Sequence, residues 1–145
     1  MHRTSTLLNG RLASVVTTLR YGEAIVVADA GLPVPTGTET LDLAIVPGLP
    51  STTQVVSALR DNLVLLEVRI ASEMAAVNET LRRELLDLFA GTELVREVGH
   101  VEGIESQLGS ARLVIQTGEV SPYGNVVLVG GLDFFDISMA GDQQG

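Results

Sequence analysis

Residues 25–35 read Ile-Val-Val-Ala-Asp-Ala-Gly-Leu-Pro-Val-Pro, and this stretch decides the fold class. Ile25 to Ala28 form a short apolar run rich in β-branched residues, which is typical of a buried strand. Asp29 to Pro35 follow as a loop that Gly31 and two prolines punctuate. The rest of the chain repeats this change between apolar elements and short loops.

Helical and strand-like segments alternate outward from this strand. Leu12, Val15, Val16 and Leu19 follow helical spacing and predict an amphipathic helix near 11–20. Further helices are predicted at 52–60, with Ser51 and Gln54 as a capping box, at 79–90, closed by Gly91, and at 102–108. Further strands are predicted at 41–46, 63–71, 93–98, 111–115 and 125–129. The pattern predicts an α/β fold, a three-layer α/β/α domain with a central mixed six-stranded sheet.

Length and composition favour one folded domain. The chain has 145 residues, of which 46% are hydrophobic and 19% charged, so it can bury a core. We expect a single domain over residues 1–134 and a mobile tail over 135–145. No apolar run is long enough to span a bilayer, and Arg11 and Arg20 interrupt any signal-peptide pattern, so we expect a cytoplasmic protein.

Charge and missing residue types exclude several functions. A net charge of -9 without a basic cluster argues against binding of nucleic acid or of an anionic membrane. The absence of Cys and Lys excludes thiol and Schiff-base chemistry on side chains. With only His2 and His100, one chain cannot build a His-rich metal site. Carboxylates, hydroxyls, arginines, amides and one imidazole remain.

Two loops that follow buried strands could carry chemistry. In open α/β sheets, ligands bind beyond the carboxyl ends of strands, where Asp29 lies in the first loop. Asp29 could accept hydrogen bonds from sugar hydroxyls or move a proton, or it could only cap a turn. In the second loop, Pro122 and Gly124 predict a rigid shape that presents Tyr123 and Asn125. A phenol and an amide both donate and accept, which suits a polyol, although an ordinary turn fits the same residues.

Together the two loops resemble the D-ribose pyranase / L-fucose mutarotase (RbsD/FucU) family. The resemblance rests on Val26 to Pro35 and on Ile115 to Glu119 followed by Ser121 to Leu128, in that order. It extends from about Thr6 to Phe134, and the Ala-Gly-Leu-Pro form of the first loop is closer to the ribose branch. Such a resemblance implies an RbsD-like fold and an isomerase that interconverts the cyclic forms of a free monosaccharide.

The same resemblance implies how the site is built. Members of this family are ring-shaped homo-oligomers with sites where subunits meet, and they need no metal or organic cofactor. Carried over by position, Asp29, Tyr123 and Asn125 would contact the sugar. A family histidine that acts as general acid/base has no counterpart here, because Arg20 and Tyr21 occupy its positions.

Tyr21 could take over part of that role. A phenol, with a pKa of about 10, is a fair acid and a poor base, so Tyr21 would donate to the ring oxygen while Asp29 took the other proton. Tyr21 could equally well only pack at the end of the first helix. A second family histidine aligns without gaps with Val101, and a slip of one residue would bring His100 there instead.

The sequence thus leaves two functions from different classes. One is a mutarotase or pyranase with Tyr21 and Asp29 as catalytic residues and Asp29, His100, Val101, Tyr123 and Asn125 as sugar contacts. The alternative is a non-catalytic sugar-binding or scaffold homologue that lost its proton-transfer histidine.

Overall fold

Six strands form one mixed sheet in the computed structural model, which describes residues 5–132. The strands are β1 (Ala24–Ala28), β2 (Thr40–Asp42), β3 (Leu65–Ala71), β4 (Val95–Val98), β5 (Leu113–Gln116) and β6 (Val126–Gly130). Their order across the sheet is β2-β5-β1-β6-β3-β4, and β6 runs antiparallel to both of its neighbours. The prediction of a mixed six-stranded sheet is confirmed.

Four helices and two irregular turns connect the strands. The helices are α1 (Gly10–Thr18), α2 (Thr52–Arg60), α3 (Met74–Val77) and α4 (Glu79–Leu88). A π-helical turn (His100–Ile104) continues into a 3₁₀ helix (Glu105–Ser110), where the sequence predicted one helix over 102–108. Ser51 and Gln54 form the predicted capping box at the start of α2. The predicted tail over 135–145 lies outside the described residues.

The two central strands are buried along their whole length. Every residue of β1 and of β6 is buried, so elements of the chain cover both faces of the sheet there. The predicted face of α1 packs inward, with Leu12 and Val15 buried and Val16 and Leu19 partly buried against the core. This burial explains the continuous apolar runs that the sequence shows at β1 and β6.

Four strand predictions extended too far at one end. The strand expected at 41–46 ends at Asp42, because the Asp42 carboxylate accepts the N–H of Ala44 at 2.9 Å and turns the chain. Beyond it, Val46 and Leu49 form an isolated bridge, and Gly48 has a φ of +85°. The strands expected at 63–71, 93–98 and 111–115 each begin two residues later, at Leu65, Val95 and Leu113. The 79–90 helix prediction likewise ran two residues past the end of α4 at Leu88.

The strand directions bring six chain segments to one edge of the sheet. β1 to β5 all run the same way, since β5 pairs parallel with both β1 and β2, β3 pairs parallel with β4, and both β1 and β3 oppose β6. The residues that follow these five strands, and those that precede β6, therefore meet at the same edge. The opposite edge receives the turn between α1 and β1. Among residues 5–132, no helix has the length and apolar character needed to cross a membrane.

Candidate functional site

Asn125 is the centre of a buried hydrogen-bond cluster at this edge. Its side chain, which is 1% exposed, accepts the backbone N–H of Asp29 through Oδ1 at 2.7 Å. Its Nδ2 donates to Asp29 Oδ2 at 3.2 Å and lies 3.0 Å from His100 Nε2. A backbone N–H can only donate, so it fixes Oδ1 as the acceptor and Nδ2 as the donor. Asn125 thereby links the loops after β1 and β4 to the start of β6.

This orientation of the Asn125 amide determines which ring nitrogen of neutral His100 carries the hydrogen. Since Asn125 Nδ2 can only donate, His100 Nε2 must offer its lone pair, and the neutral imidazole then carries its hydrogen on Nδ1. Nδ1 faces Glu105 Oε1 at 3.5 Å, which is an ion-pair distance and long for a direct hydrogen bond. His100 is 9% exposed, so the ring is held between these two partners with little access to bulk water.

Glu73 anchors the backbone of His100. Both carboxylate oxygens of Glu73 accept the N–H of His100, at 3.1 and 3.2 Å. The pKa of Glu73 is lowered, first by a hydrogen bond from its own backbone N–H and then by that of His100, while desolvation opposes the shift. The ionised carboxylate therefore fixes where the π-helical turn begins.

Tyr123 closes the site from the second loop. Its ring meets that of His100 edge-on, with centroids 5.3 Å apart, and 36% of the residue stays exposed. Its φ of +59° is left-handed, which is costly for a bulky residue and needs support from its surroundings. Asn78 Nδ2 gives that support by donating to Ser121 Oγ at 2.9 Å and to the Pro122 carbonyl at 2.7 Å.

Glu119 and two glycines tie the second loop to the rest of the edge. Glu119 Oε1 accepts the N–H of Thr52 at 3.0 Å, and its backbone carbonyl accepts the N–H of Ala30 at 2.9 Å. A Cβ on Gly118 would lie 2.6 Å from the carbonyl oxygen of Leu49, and one on Gly124 would lie 2.7 Å from Glu119 Cγ. The glycines of the motif are thus required by close packing.

The cluster lines a pocket of about 290 Å³, near the lower end of the usual size for small-ligand sites. Its lining consists of Asp29, Gly31, Leu32, Pro33, His100, Tyr123 and Asn125. A second hollow of about 430 Å³ adjoins it at Asp29 and Gly31 and extends along Glu119 to Pro122. A larger hollow of about 700 Å³ lies between α2 and α4, but Glu84 is the sole titratable residue in its lining. Convergent polar groups distinguish the smaller pocket as the candidate site.

The structure brings four of the predicted site residues together and leaves two apart. Asp29, His100, Tyr123 and Asn125 line one pocket. Val101 is 60% exposed and outside that lining, because the residue after His100 on the turn is rotated away from the ring. Tyr21 is 58% exposed and lies before β1, at the opposite end of the strand from Asp29.

Sequence reasoning missed Glu73, Glu105 and the bridging role of Glu119. The position of Glu73, two residues beyond the end of β3, is a signal that could have placed it at the site edge. Glu105 gives no comparable signal, because its approach to His100 depends on the π-helical turn. In the described part of the chain, no three His, Cys, Asp or Glu side chains lie together as metal ligands would.

Comparison with known proteins identifies the family. Residues 2–133 match the RbsD / FucU transport protein family. This protein belongs to that family. Among RbsD/FucU relatives, the D-ribose pyranase of Thermoanaerobacter sp. (strain X514) is 36% identical over 128 residues, which are 88% of this chain and 96% of the relative. The D-ribose pyranase of Clostridium perfringens (strain ATCC 13124) is 32% identical over 132 residues, which are 91% of this chain and 99% of the relative.

Solved structures of RbsD/FucU proteins agree in fold. Bacillus subtilis RbsD complexed with D-ribose matches with a TM-score of 0.84 and 35% identity, over 92% of this chain and 100% of the other. Streptococcus pneumoniae fucose mutarotase in complex with L-fucose matches with a TM-score of 0.68 and 17% identity, over 92% and 99% of the chains, which supports the fold alone. The RbsD-like fold expected from the sequence is confirmed.

Proposed function

We propose that this protein is an isomerase that interconverts the cyclic forms of a free monosaccharide such as D-ribose. The observation that carries the proposal is the cluster of Asp29, His100, Tyr123 and Asn125 around one pocket of about 290 Å³. The relatives named D-ribose pyranase, up to 36% identical over most of the chain, supply the reaction class. The four residues are the predicted sugar contacts that share a site within one subunit.

The side chains of this pocket suit a polyol. The Asp29 carboxylate accepts hydrogen bonds, and the Asn125 amide and the Tyr123 phenol can both donate and accept. Leu32 and Pro33 add an apolar wall against which the carbon face of a sugar can pack. The substrate is therefore an uncharged sugar with several hydroxyls, and the pocket lining offers no Arg to hold a phosphate.

The reaction is the opening and reclosing of a hemiacetal. A base removes the proton of the anomeric hydroxyl, and an acid protonates the ring oxygen as its bond to the anomeric carbon breaks. Sugar rings already open slowly in water, so the protein needs to supply positioned proton-transfer groups and no cofactor. Asp29 and Tyr21 are the groups that the sequence predicts for these two steps.

Tyr21 can act at this pocket only from a neighbouring copy of the chain. The five residues of β1 separate it from Asp29, which corresponds to about 16 Å at the usual rise of a strand. A ring-shaped homo-oligomer with sites at subunit contacts would supply the phenol from the adjacent subunit. This assembly, like the cytoplasmic location, remains a prediction from the sequence.

Exchange NMR tests the proposal directly. Saturation transfer between the pyranose, furanose and anomeric signals of ribose and fucose should be faster with the protein than without it. Sugar binding without faster exchange would instead support the non-catalytic sugar-binding homologue. Light scattering on the same sample should report a mass well above the 15.3 kDa of one chain. A monomer that still accelerates exchange would remove Tyr21 from the mechanism.

A further inference from the structure

His100 is held at three separate points. Glu73 fixes its backbone N–H, Asn125 Nδ2 lies at its Nε2, and Glu105 Oε1 lies 3.5 Å from its Nδ1. Buried ring nitrogens need partners in any protein, but here one partner is a carboxylate and the ring also lines the candidate pocket. The arrangement of a carboxylate on one nitrogen and the pocket on the other is the one that prepares an imidazole for proton transfer.

Asp29 is less free to act as the base. Its Oδ1 accepts the N–H of Gly31 at 2.9 Å, and its Oδ2 accepts Asn125 Nδ2 at 3.2 Å. Both carboxylate oxygens are therefore already engaged as acceptors within the subunit. An imidazole, which titrates near neutral pH when unperturbed, is better matched to taking up and returning one proton.

We propose that Glu105 is a positioning residue that holds His100 in its Nδ1–H form, so that His100 Nε2 takes and returns the anomeric proton of the sugar. The proposal rests on the proposed ring-opening function and names the base for it. In a chain where Arg20 and Tyr21 replace the expected proton-transfer histidine, it assigns that task to the remaining imidazole.

The step balances without any added reactant. A sugar hydroxyl exchanges with the Asn125 amide hydrogen at the Nε2 lone pair, and its proton moves to Nε2. The electron pair of the broken O–H bond forms the carbonyl, and the bond from the anomeric carbon to the ring oxygen breaks. The ring oxygen takes a proton from an acid, the Tyr21 phenol of a neighbouring copy. Reclosure returns both protons to the groups that supplied them.

Two neighbours of His100 act in opposite ways on a proton at Nε2. Once Nε2 carries a proton, it faces the Asn125 Nδ2–H donor, and two donors repel each other. The carboxylate of Glu105 opposes this by stabilising the imidazolium. Other charged or titratable groups lie on the elements around His100. They are Asp29 after β1, Glu73 after β3, Arg69 on β3 at the Gly103 carbonyl, Tyr123 before β6 and Glu102 on the π-helical turn of His100 itself.

The tautomer can be measured in the full-length protein. The chain has two histidines, so a His2→Gln variant leaves one imidazole in a two-bond ¹H–¹⁵N spectrum. Above neutral pH, His100 should show the protonated Nδ1 and unprotonated Nε2 pattern, and Glu105→Gln should shift it toward a mixture. An Nε2–H pattern in the His2→Gln protein would overturn the proposal, as would a pattern that Glu105→Gln leaves unchanged.

Exchange rates test the role of the same carboxylate in proton transfer. In Glu105→Gln, the exchange rate of ribose should fall roughly tenfold, less than the ~10²–10⁴-fold that a proton-transferring group itself contributes, while sugar affinity stays constant. In this variant, the exchange rate should begin to fall only at a lower pH than in the unmodified protein, because the imidazolium has lost the negative charge of Glu105. Glu105→Asp should recover part of the rate.

Glu102→Gln is the matched control, because Glu102 is also an exposed glutamate and lies on the π-helical turn just before Glu105. It should leave the rate and the pH profile unchanged. A pH profile that Glu105→Gln does not move would overturn the proposal. If the unmodified protein fails to accelerate exchange, the proposed function fails instead, and the tautomer spectrum still decides whether Glu105 positions the ring.

Discussion

The loop after β1 and the turn before it lie at opposite ends of one five-residue strand and are built from different contacts. After the strand, Asp29 joins a buried cluster in which Asn125 connects its backbone and side chain to His100. Before the strand, the contacts include an ion pair between Glu23 and Arg112 at 2.8 Å and a backbone hydrogen bond from Gly22 to Gly130. One end is a convergent polar site, and the other is a solvated surface turn.

The difference follows from topology more than from local sequence. Five strands end and one begins at the Asp29 edge, so polar residues far apart in the chain meet there. The α1–β1 turn leads into the strand at the other edge, where Tyr21 is exposed. If the two ends of β1 cooperate in one reaction, two copies of the chain must bring them together.

The largest effect is expected from Asn125→Ala at the Asp29 end. The change leaves the Asp29 N–H without its acceptor and removes the hydrogen-bond donor at His100 Nε2. The exchange rate of ribose should fall by more than about 10²-fold. The free energy of unfolding should fall by about 1–3 kcal/mol, the usual cost of an unsatisfied buried group. Exchange NMR and urea unfolding measure the two quantities.

Asn62→Ala is the matched control at the other edge. Asn62 also makes several side-chain hydrogen bonds, among them one to Thr6 Oγ1 and one to the Ala58 carbonyl, each at 2.8 Å. It should lower stability without changing the rate per folded molecule. An equal loss of rate in both variants would show that the edges do not differ in function.

Tyr21→Phe is the next test, because it asks whether the turn before β1 contributes at all. If a neighbouring subunit's Tyr21 protonates the ring oxygen, loss of the hydroxyl should lower the exchange rate by about 10²-fold while sugar affinity stays nearly constant. The oligomeric mass should not change. A wild-type rate in Tyr21→Phe would confine proton transfer to the Asp29 end and leave Tyr21 as a packing residue.

The sequence predicted element types and the site edge better than the contacts inside the site. The apolar runs at β1 and β6 and the Ser51–Gln54 box are local signals, and the structure contains all three. The antiparallel direction of β6, which brings Asn125 beside Asp29, depends on long-range pairing that local sequence does not encode. Whether His100 or Val101 occupies the position of the second family histidine depended on a shift of one residue in an irregular turn, and sequence spacing alone could not decide it.

The smallest expected effect is on acid stability, where the two ends resemble each other. A hydrogen bond from the Arg20 N–H, together with Arg112, lowers the pKa of Glu23 from 4.5, and hydrogen bonds from its own N–H and that of His100 lower the pKa of Glu73 from 4.5. A lowered pKa in the folded state adds stability that is complete above about 4.5 and is lost as pH falls through the folded-state value.

Glu23→Gln and Glu73→Gln should therefore each make the free energy of unfolding less dependent on pH below 4.5 and leave that dependence unchanged near pH 7. Urea unfolding between pH 3 and 7 measures this slope, and exposure of both groups to solvent keeps each effect small.

The exchange rate at pH 7 distinguishes the two ends of β1 again. Glu73→Gln weakens the anchor of His100 and should slow exchange slightly. If it slows exchange no more than Glu93→Gln, the same change at an exposed glutamate before β4, then the backbone anchor has no part in placing the imidazole.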